Sequence, residues 1–578
     1  MGKLYRMYCE RCFKASAMDF DDLLYNTNVL FRDHPDILNK YQHRFKYVLV
    51  DEFQDTNISQ YLITKKLSAV TQNVCVVGDD AQSIYAFRGA DIKNILNFEK
   101  DYPDLRVIKL EQNYRSTKVI VNAANSVISR NSAQLKKDVW TDNEDGDQIE
   151  LLKANSDNEE AKLVAASIFD ERLNNQVRNS EVAILYRTNS QSRAMEEALR
   201  RANIKYKIIG GLSFYQRKEI KDLLSYLRFV VNQNDEQALR RIINLPKRGI
   251  GPGSVDKMIV VANDNGLVLW DVVSNIFKYL PGRITNAIDQ FSTMIKSFMV
   301  IIGQKDAYEA ASYIAKQSGL LRELYDDKTI EGLSRYENVQ ELLNAIKEYV
   351  DNEENTDKSL GAFLQEVALL TSADDDKDDD KEKITMMTIH MAKGLEFKNV
   401  YLVGMEEDLF PSQMMLSSRA DLEEERRLFY VAITRAENKL FLAYALSRYR
   451  FGRLKSCEPS RFIEEIDARF IKSISRSSQS TGERPPSSHY AKSLVTSIKK
   501  PSISAPVNPG KIHKPSAGFK PSDTTSLEQG MKVEHLKFGF GNVIHIDADG
   551  ANRKAKVLFD NFGEKTLLLS FAKLKIHS

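Results

Sequence analysis

Apolar residues along the chain follow two rhythms. Tyr47-Val48-Leu49-Val50 is a run of four without polar alternation, which predicts a short strand buried on both faces, as inside a parallel sheet. Asn73–Val77 repeats the pattern and runs into Gly78-Asp79-Asp80, and Arg106–Leu110 predicts a third strand ending in Glu111-Gln112-Asn113-Tyr114-Arg115-Ser116. A helix over 117–130, a strand at Val182–Tyr186, a helix from Ser190 to Arg201 and a strand at Tyr206–Ile209 continue the alternation, which is an α/β pattern. Residues 1–45 read as helical, with acidic Asp19-Phe20-Asp21-Asp22 opening an amphipathic helix.

From about 214 to 372 the spacing turns almost purely helical, as in Phe214–Val231, 308–325 and 336–350. Inside this region Asn244–Val255 holds a tight Gly-rich hairpin around Gly249-Ile250-Gly251. Such a turn either presents backbone amides to a phosphate or simply joins two helices. The acid-rich run 374–382 reads as a solvated loop. The α/β rhythm resumes at Lys383–His390, with a strand at 399–403, a helix over 423–435 and a strand at Lys439–Tyr444. A helical insertion therefore interrupts one α/β domain.

Residues 471–529 contain nine Lys/Arg against three Asp/Glu and half of the chain's prolines, a composition that cannot bury a core and predicts a disordered basic linker. Short strands with Gly turns at Val533, Phe538–Ile544, Ala555–Phe559 and Thr566–Leu569 predict a small terminal β-barrel. The 578 residues suggest about three to five domains. A net charge of +2 requires any basic nucleic-acid surface to be local. Four cysteines are too few for a disulfide scaffold, and Cys9-x-x-Cys12 is a lone pair in a helical segment. No apolar run approaches a membrane span and the N-terminus carries no signal-peptide core, so the expectation is a cytoplasmic protein with no membrane partner.

Chemistry concentrates where strands end. Asp51 and Glu52 follow the first strand, and ligands of open α/β sheets gather at the carboxyl ends of strands. One carboxylate suits a divalent metal and the other a proton, the pair that nucleoside-triphosphate hydrolysis needs. An acidic loop after a core strand gives the same dipeptide.

In order, the motifs resemble those of superfamily 1 DNA helicases of the UvrD/PcrA/Rep type, over nearly the whole chain. The matching residues are Val50-Asp51-Glu52-Phe53-Gln54-Asp55 and Gly78-Asp79-Asp80-Ala81-Gln82-Ser83-Ile84-Tyr85 with Phe87-Arg88-Gly89-Ala90. Gln112-Asn113-Tyr114-Arg115-Ser116, Thr388-Ile389-His390 with Lys393-Gly394-Leu395-Glu396-Phe397, and Tyr430-Val431-Ala432-Ile433-Thr434-Arg435-Ala436 complete the set.

The resemblance implies two RecA-like motor domains, the first incomplete, with ATP and Mg²⁺ between them. By this likeness, Asp51 is the Mg²⁺ ligand, Glu52 the base that activates water and Gln82 a γ-phosphate sensor. Tyr114 stacks on adenine, Gly394 and Glu396 belong to the nucleotide site with Glu396 on the ribose, and Arg115 and Arg435 reach the γ-phosphate. Arginines in that role contribute about 10³ to 10⁵ in rate. Single-stranded DNA is expected against Tyr85, Phe87 and Arg88, the alternative being that both aromatics belong to the core, with His390 and Lys393 as phosphate or coupling contacts or as interdomain hydrogen-bonding groups. Phe87 stands where many relatives carry Trp. Gly249 and Gly251 resemble a turn that meets duplex at single-strand/double-strand junctions, and the barrel resembles a Tudor-like module thought to contact RNA polymerase.

The domains implied are 1–104 for the first motor domain, 105–213 with 383–470 for the second, 214–382 for the insertion, 471–529 for the linker and 530–578 for the barrel. The family pattern opens with a phosphate-binding loop, G-x-x-x-x-G-K-[ST], and no such string occurs in these residues. The expectation is therefore a chain without that N-terminal portion, a first sheet lacking its central strands, and weak ATP turnover by these residues alone. The competing expectation is an ATPase-dead adaptor that binds DNA or RNA polymerase.

Overall fold

The computed structural model describes residues 2–280, 282, 284–371, 382–413, 416, 418–450, 452–474, 516, 527–535, 538–547, 554–560, 563–569, 572 and 574–577. The expected acidic loop and basic linker fall largely outside these residues. The chain divides into two compact units, one holding Met1–Ser213, Asp378–Arg448 and Leu454–Ile474, the other Phe214–Lys377, Tyr449–Arg453 and Ser475–Ser578.

The first unit is built on an all-parallel sheet of seven strands. In chain order these include β3 (Ile149–Ala154), β4 (Val182–Tyr186), β5 (Tyr206–Ile208), β6 (Ile384–Thr388), β7 (Phe397–Leu402) and β8 (Ala436–Ala445), where β1 (Val48–Val50) and β2 (Val74–Val76) form a separate pair. The spatial order is Ile471–Ile474, β3, β8, β7, β4, β6, β5. Central β4 is buried throughout because both faces are covered. Its Ala183 and Leu185 join a core with Ile120, Val127, Leu428 and Val431 from helices Lys118–Ile128 and Arg419–Ile433. Val182, Ile184 and Tyr186 join another with Val164, Ile168, Met195 and Leu199 from helices Asp157–Asn175 and Ser192–Arg201. A continuous apolar run is what such two-sided burial selects.

Three expectations need correction here. Residues 471–474, assigned by composition to the linker, are the edge strand of this sheet, with Ile471 opposite Ile149. Residues 106–110 form no strand, and Leu110 is 83% exposed. The Tyr47–Val50 run is not buried on both faces, since Leu49 is 76% exposed. Among the described residues β1 pairs with β2 alone, so neither Leu49 nor residues 106–110 meet a further strand that would bury them. Helices Gly2–Lys14, Phe20–Asp33 and Pro35–Arg44 precede β1, and the second starts in a reciprocal cap between Asp19 and Asp22.

The second unit has a helical core as expected, centred on helix Lys218–Val231 and packed with Phe291, Ile295, Ile314, Leu342 and Ile346. Its C-terminal part is one five-stranded antiparallel sheet in the order Gly563–Leu568, Lys554–Phe559, Gly539–Asp547, Lys532–His535, Leu574–His577. The last of these strands is absent from the sequence reading. Val533, Val543, Val557, Phe559 and Leu574 fill its core.

Candidate functional site

β1 ends in Asp51 and Glu52, and the backbone turns sharply there: Glu52 sits in the left-handed region at φ +49°. A non-glycine residue held there costs of order 1–3 kcal/mol, so neighbours must hold it in place. Gln54 does so from a fully buried position, donating from Nε2 to Glu52 Oε2 at 2.6 Å while its Oε1 accepts from the Asp79 N–H at 2.9 Å. One amide thereby ties the loop after β1 to the loop after β2. A Cβ on Gly78 would lie 2.6 Å from Gln54 Oε1, which explains a glycine at that point. Asp51 is exposed beside these groups and caps the Glu52 N–H at 2.9 Å.

Asp79 organises the second loop. Its carboxylate accepts from the Ala81 N–H and from Gln82 Nε2, both at 2.9 Å, and pairs with Lys137, which also lies 3.2 Å from Asp80. Burial works against the Lys137 charge, yet Asp79 and Asp80 outweigh it and raise the ammonium pKa above its ordinary value. Gln82 is thus oriented through Asp79 by a lysine from the segment that follows helix Lys118–Ile128. Lys137 sits in a loop without periodicity, and nothing in the sequence reading signalled it.

Lys393 enters between the two loops. Its ammonium pairs with Asp55, lies 3.3 Å from Glu52 Oε2, donates to the Gln82 carbonyl at 2.9 Å and sits 5.4 Å from the Tyr85 ring centroid. All of these contacts lie within the first unit. Asp55 has its carboxyl pKa raised, chiefly by burial, with Lys393 opposing and Glu52 reinforcing the shift.

Arg115 and Arg435 lie together on the segments that follow. Arg115 Nε donates to Glu396 at 2.7 Å and Nη1 to the Thr434 carbonyl at 3.2 Å. Buried Arg435 donates to the carbonyls of Val431 and Leu395 and to Thr434 Oγ1, at 3.0 to 3.1 Å. Burial, then the nearby Arg115 charge, push its pKa down to about 10, so it remains a cation at neutral pH. Gly394 turns the chain between Lys393 and Glu396 at φ +84°, a conformation that a side chain would strain. Tyr114 is 78% exposed, its hydroxyl bonded to Gln112 at 2.8 Å, which leaves the ring open.

Tyr85, Phe87, Arg88 and His390 form a second cluster. Phe87 packs edge-on to His390 at 5.4 Å, Tyr85 lies 6.0 Å from Phe87, and the Arg88 guanidinium is 5.6 and 5.4 Å from the two rings. The Tyr85 hydroxyl donates to the His390 carbonyl at 3.2 Å, and Phe87 is 38% exposed. His390 stands on the helical turn Ile389–Ala392 at the end of β6. Burial, then Arg187 and Arg88, push its pKa down to about 3, so its ring is neutral.

Gly249 and Gly251 belong to the second unit. Their loop is internally tied. Asn244 Oδ1 accepts from the N–H groups of Arg248 and Ile250 at 2.7 and 3.1 Å, and Arg248 donates to the carbonyls of Leu245 and Ser318 at 2.7 and 3.0 Å. Two amides of the turn are therefore used within it.

Comparison with known proteins bears on the whole chain. Residues 1–103 match the UvrD/REP helicase N-terminal domain, 108–447 the UvrD-like helicase C-terminal domain and 530–575 the PcrA/UvrD tudor domain. The ATP-dependent DNA helicase PcrA of Staphylococcus aureus is 40% identical over 582 aligned residues, covering 100% of this chain and 76% of the relative. The protein of the same name from Staphylococcus epidermidis is 41% identical over 579, covering 99% and 76%. The chain belongs to the UvrD/PcrA family of superfamily 1 helicases.

Proposed function

We propose that the chain is the larger part of an ATP-dependent 3′–5′ DNA helicase motor that acts on single-stranded DNA and single-strand/double-strand junctions in DNA repair or replication, in the cytoplasm. In this reading, segments 1–104 and 105–213 with 383–474 are two RecA-like halves. Residues 214–382 are a regulatory insertion meeting duplex at the Gly249–Gly251 turn, and the C-terminal sheet contacts RNA polymerase. No described helix is long and apolar enough to cross a membrane.

The observation that carries the reading is the continuous polar path Glu52–Lys393–Gln82–Asp79, which joins the expected base to the expected γ-phosphate sensor. No group of three or more metal-ligating side chains occurs among the described residues. The adjacent carboxylates of Asp51 and Glu52 would fit Mg²⁺, which commonly takes one or two carboxylates and completes its shell with water and phosphate oxygens. Asp51, exposed at the strand end, would hold the ion, whose charge would offset that of the phosphates. Glu52 would take the proton of the attacking water, Gln82 would orient that water, and Arg115 and Arg435 would face the charge developing on the phosphoryl group. Tyr114 would stack on adenine with Gly394 shaping the turn, and Glu396 would contact the ribose. Tyr85, Phe87 and Arg88 would take bases and phosphates of the single strand, since stacking of this type tolerates any sequence.

The test is ATP turnover with single-stranded DNA, measured on these 578 residues and on the same residues joined to the polypeptide encoded immediately upstream. Background turnover in the first sample and DNA-stimulated turnover in the second, lost with Glu52→Gln, is the expected outcome. No turnover in either sample would favour the adaptor, a reading that the match to helicase relatives over the full chain does not favour.

A further inference from the structure

The segment that carries Tyr85, Phe87 and Arg88 is gripped along one side by helix Arg419–Ile433. Ala81 and Ile84 are buried in the same core as Leu428 and Val431 of that helix. Buried Arg427 donates from Nε to the Ser83 carbonyl at 2.8 Å. Three residues earlier, half-buried Glu424 accepts the Ala86 N–H on Oε1 at 3.1 Å. Residues three and four apart share a helix face, so Glu424, Arg427 and Val431 form one stripe towards this segment. Ala86 opens the short helical turn Ala86–Arg88, in which the N–H groups of Arg88 and Gly89 bond back to the carbonyls of Tyr85 and Ala86. The first N–H of such a turn has no partner within the turn itself. Glu424 supplies that partner.

We infer that Glu424 is a positioning residue for single-strand binding: by holding the Ala86 N–H it fixes the turn from which Tyr85, Phe87 and Arg88 face the strand. The inference rests on the single-strand role proposed above for those three residues. Tyr85 lies between two anchors, Arg427 on Ser83 and Glu424 on Ala86, and Phe87 and Arg88 follow directly after the second. A ring that is already set stacks on a base without the cost of being ordered on binding. Charge leads to the same role by elimination. DNA phosphates are anions, so a carboxylate beside their path opposes binding through its charge. What Glu424 contributes is therefore geometric, and its acceptor oxygen carries it.

The experiment follows the anisotropy of a fluorescein-labelled single-stranded oligothymidylate with the full chain, at low salt, where phosphate contacts keep weak binding in range. Glu424→Gln loses the charge and keeps an acceptor oxygen, whereas Glu424→Met, of similar size, loses both. The Met chain is expected to bind about fivefold more weakly than the Gln chain, the factor that one net hydrogen bond is worth. Both variants are neutral, so a role through charge alone predicts no difference between them. In a chain that also carries Tyr85→Ala and Phe87→Ala, the difference is expected to fall below about twofold, because no rings remain to be positioned. A general loss of folding in the Met chain would persist in that background. Equal binding by the Gln and Met chains, or a difference that survives the loss of both rings, would overturn the proposal and leave the single-strand role intact. Binding unaffected by the joint Tyr85→Ala and Phe87→Ala change, or no binding by the unaltered chain, would overturn that role and the proposal with it.

Discussion

At the scale of single residues, the site depends on groups that hold others in place. Gln54 spans the loops after β1 and β2, and the space for its amide exists because residue 78 has no side chain. Gly78→Ala is expected to lower the unfolding midpoint, by about 1–3 kcal/mol in stability for a forced overlap in a packed site, which calorimetry would check. Lys393→Met should leave the Asp55 carboxylate without its cation. The expected loss is on the order of 2 kcal/mol at pH 7. Asp55 already has a raised pKa, so it sheds the uncompensated charge readily on acidification, and the loss should shrink towards pH 4. An equal loss at both pH values would contradict that account. His390 makes a prediction of its own. Its pKa falls from 6.5 to about 3 on folding, so below pH 6.5 the unfolded chain takes up a proton that the folded chain refuses. Stability should fall from pH 7 to pH 5, by roughly 1–2 kcal/mol, and the fall should diminish in His390→Asn when unfolding is followed at each pH.

Among the elements, two kinds of strand differ in what supports them. β4 lies between β7 and β6 with helices on both faces, whereas β1 and β2 have only each other. An isolated two-stranded pair is marginal in water, so amides of β1 and β2 should exchange with deuterium far faster than those of β4. Comparable protection in the two places would refute this. The aromatic element 85–88 carries a different expectation. Replacing Tyr85 or Phe87 with Ala should weaken single-stranded DNA binding by about 1–3 kcal/mol for each stacked base, read by anisotropy of a labelled oligonucleotide. β4 was legible as an unbroken apolar run buried throughout, and β5, β6, β7 and β8 were placed to within a few residues from the apolar part of mixed runs such as Val400-Tyr401-Leu402 and Leu440-Phe441-Leu442. β3 and the 471–474 strand were not. Glu150 and Lys153 interrupt the apolar run of the first, and the second follows a helix in a stretch whose charge and proline content resemble a tether.

For the whole molecule, the exposed apolar side chains gather in residues 1–110, including Leu4, Tyr5, Phe13, Phe20, Tyr47, Leu49, Ile108 and Leu110. Exposed apolar side chains in this number favour association. Sedimentation should show self-association that rises with concentration, reduced by the double variant Tyr47→Thr, Leu49→Lys. By itself the sequence determined the family, the order of motifs and the alternation of α/β and helical regions, because these follow from residue type and spacing within short windows. Only the tertiary structure decided that Lys393 ties Asp55 to Gln82, that Lys137 steadies Asp79 and that Leu49 stays exposed. Those outcomes rest on which distant segments meet and how many strands a sheet acquires, and neither is written in local periodicity.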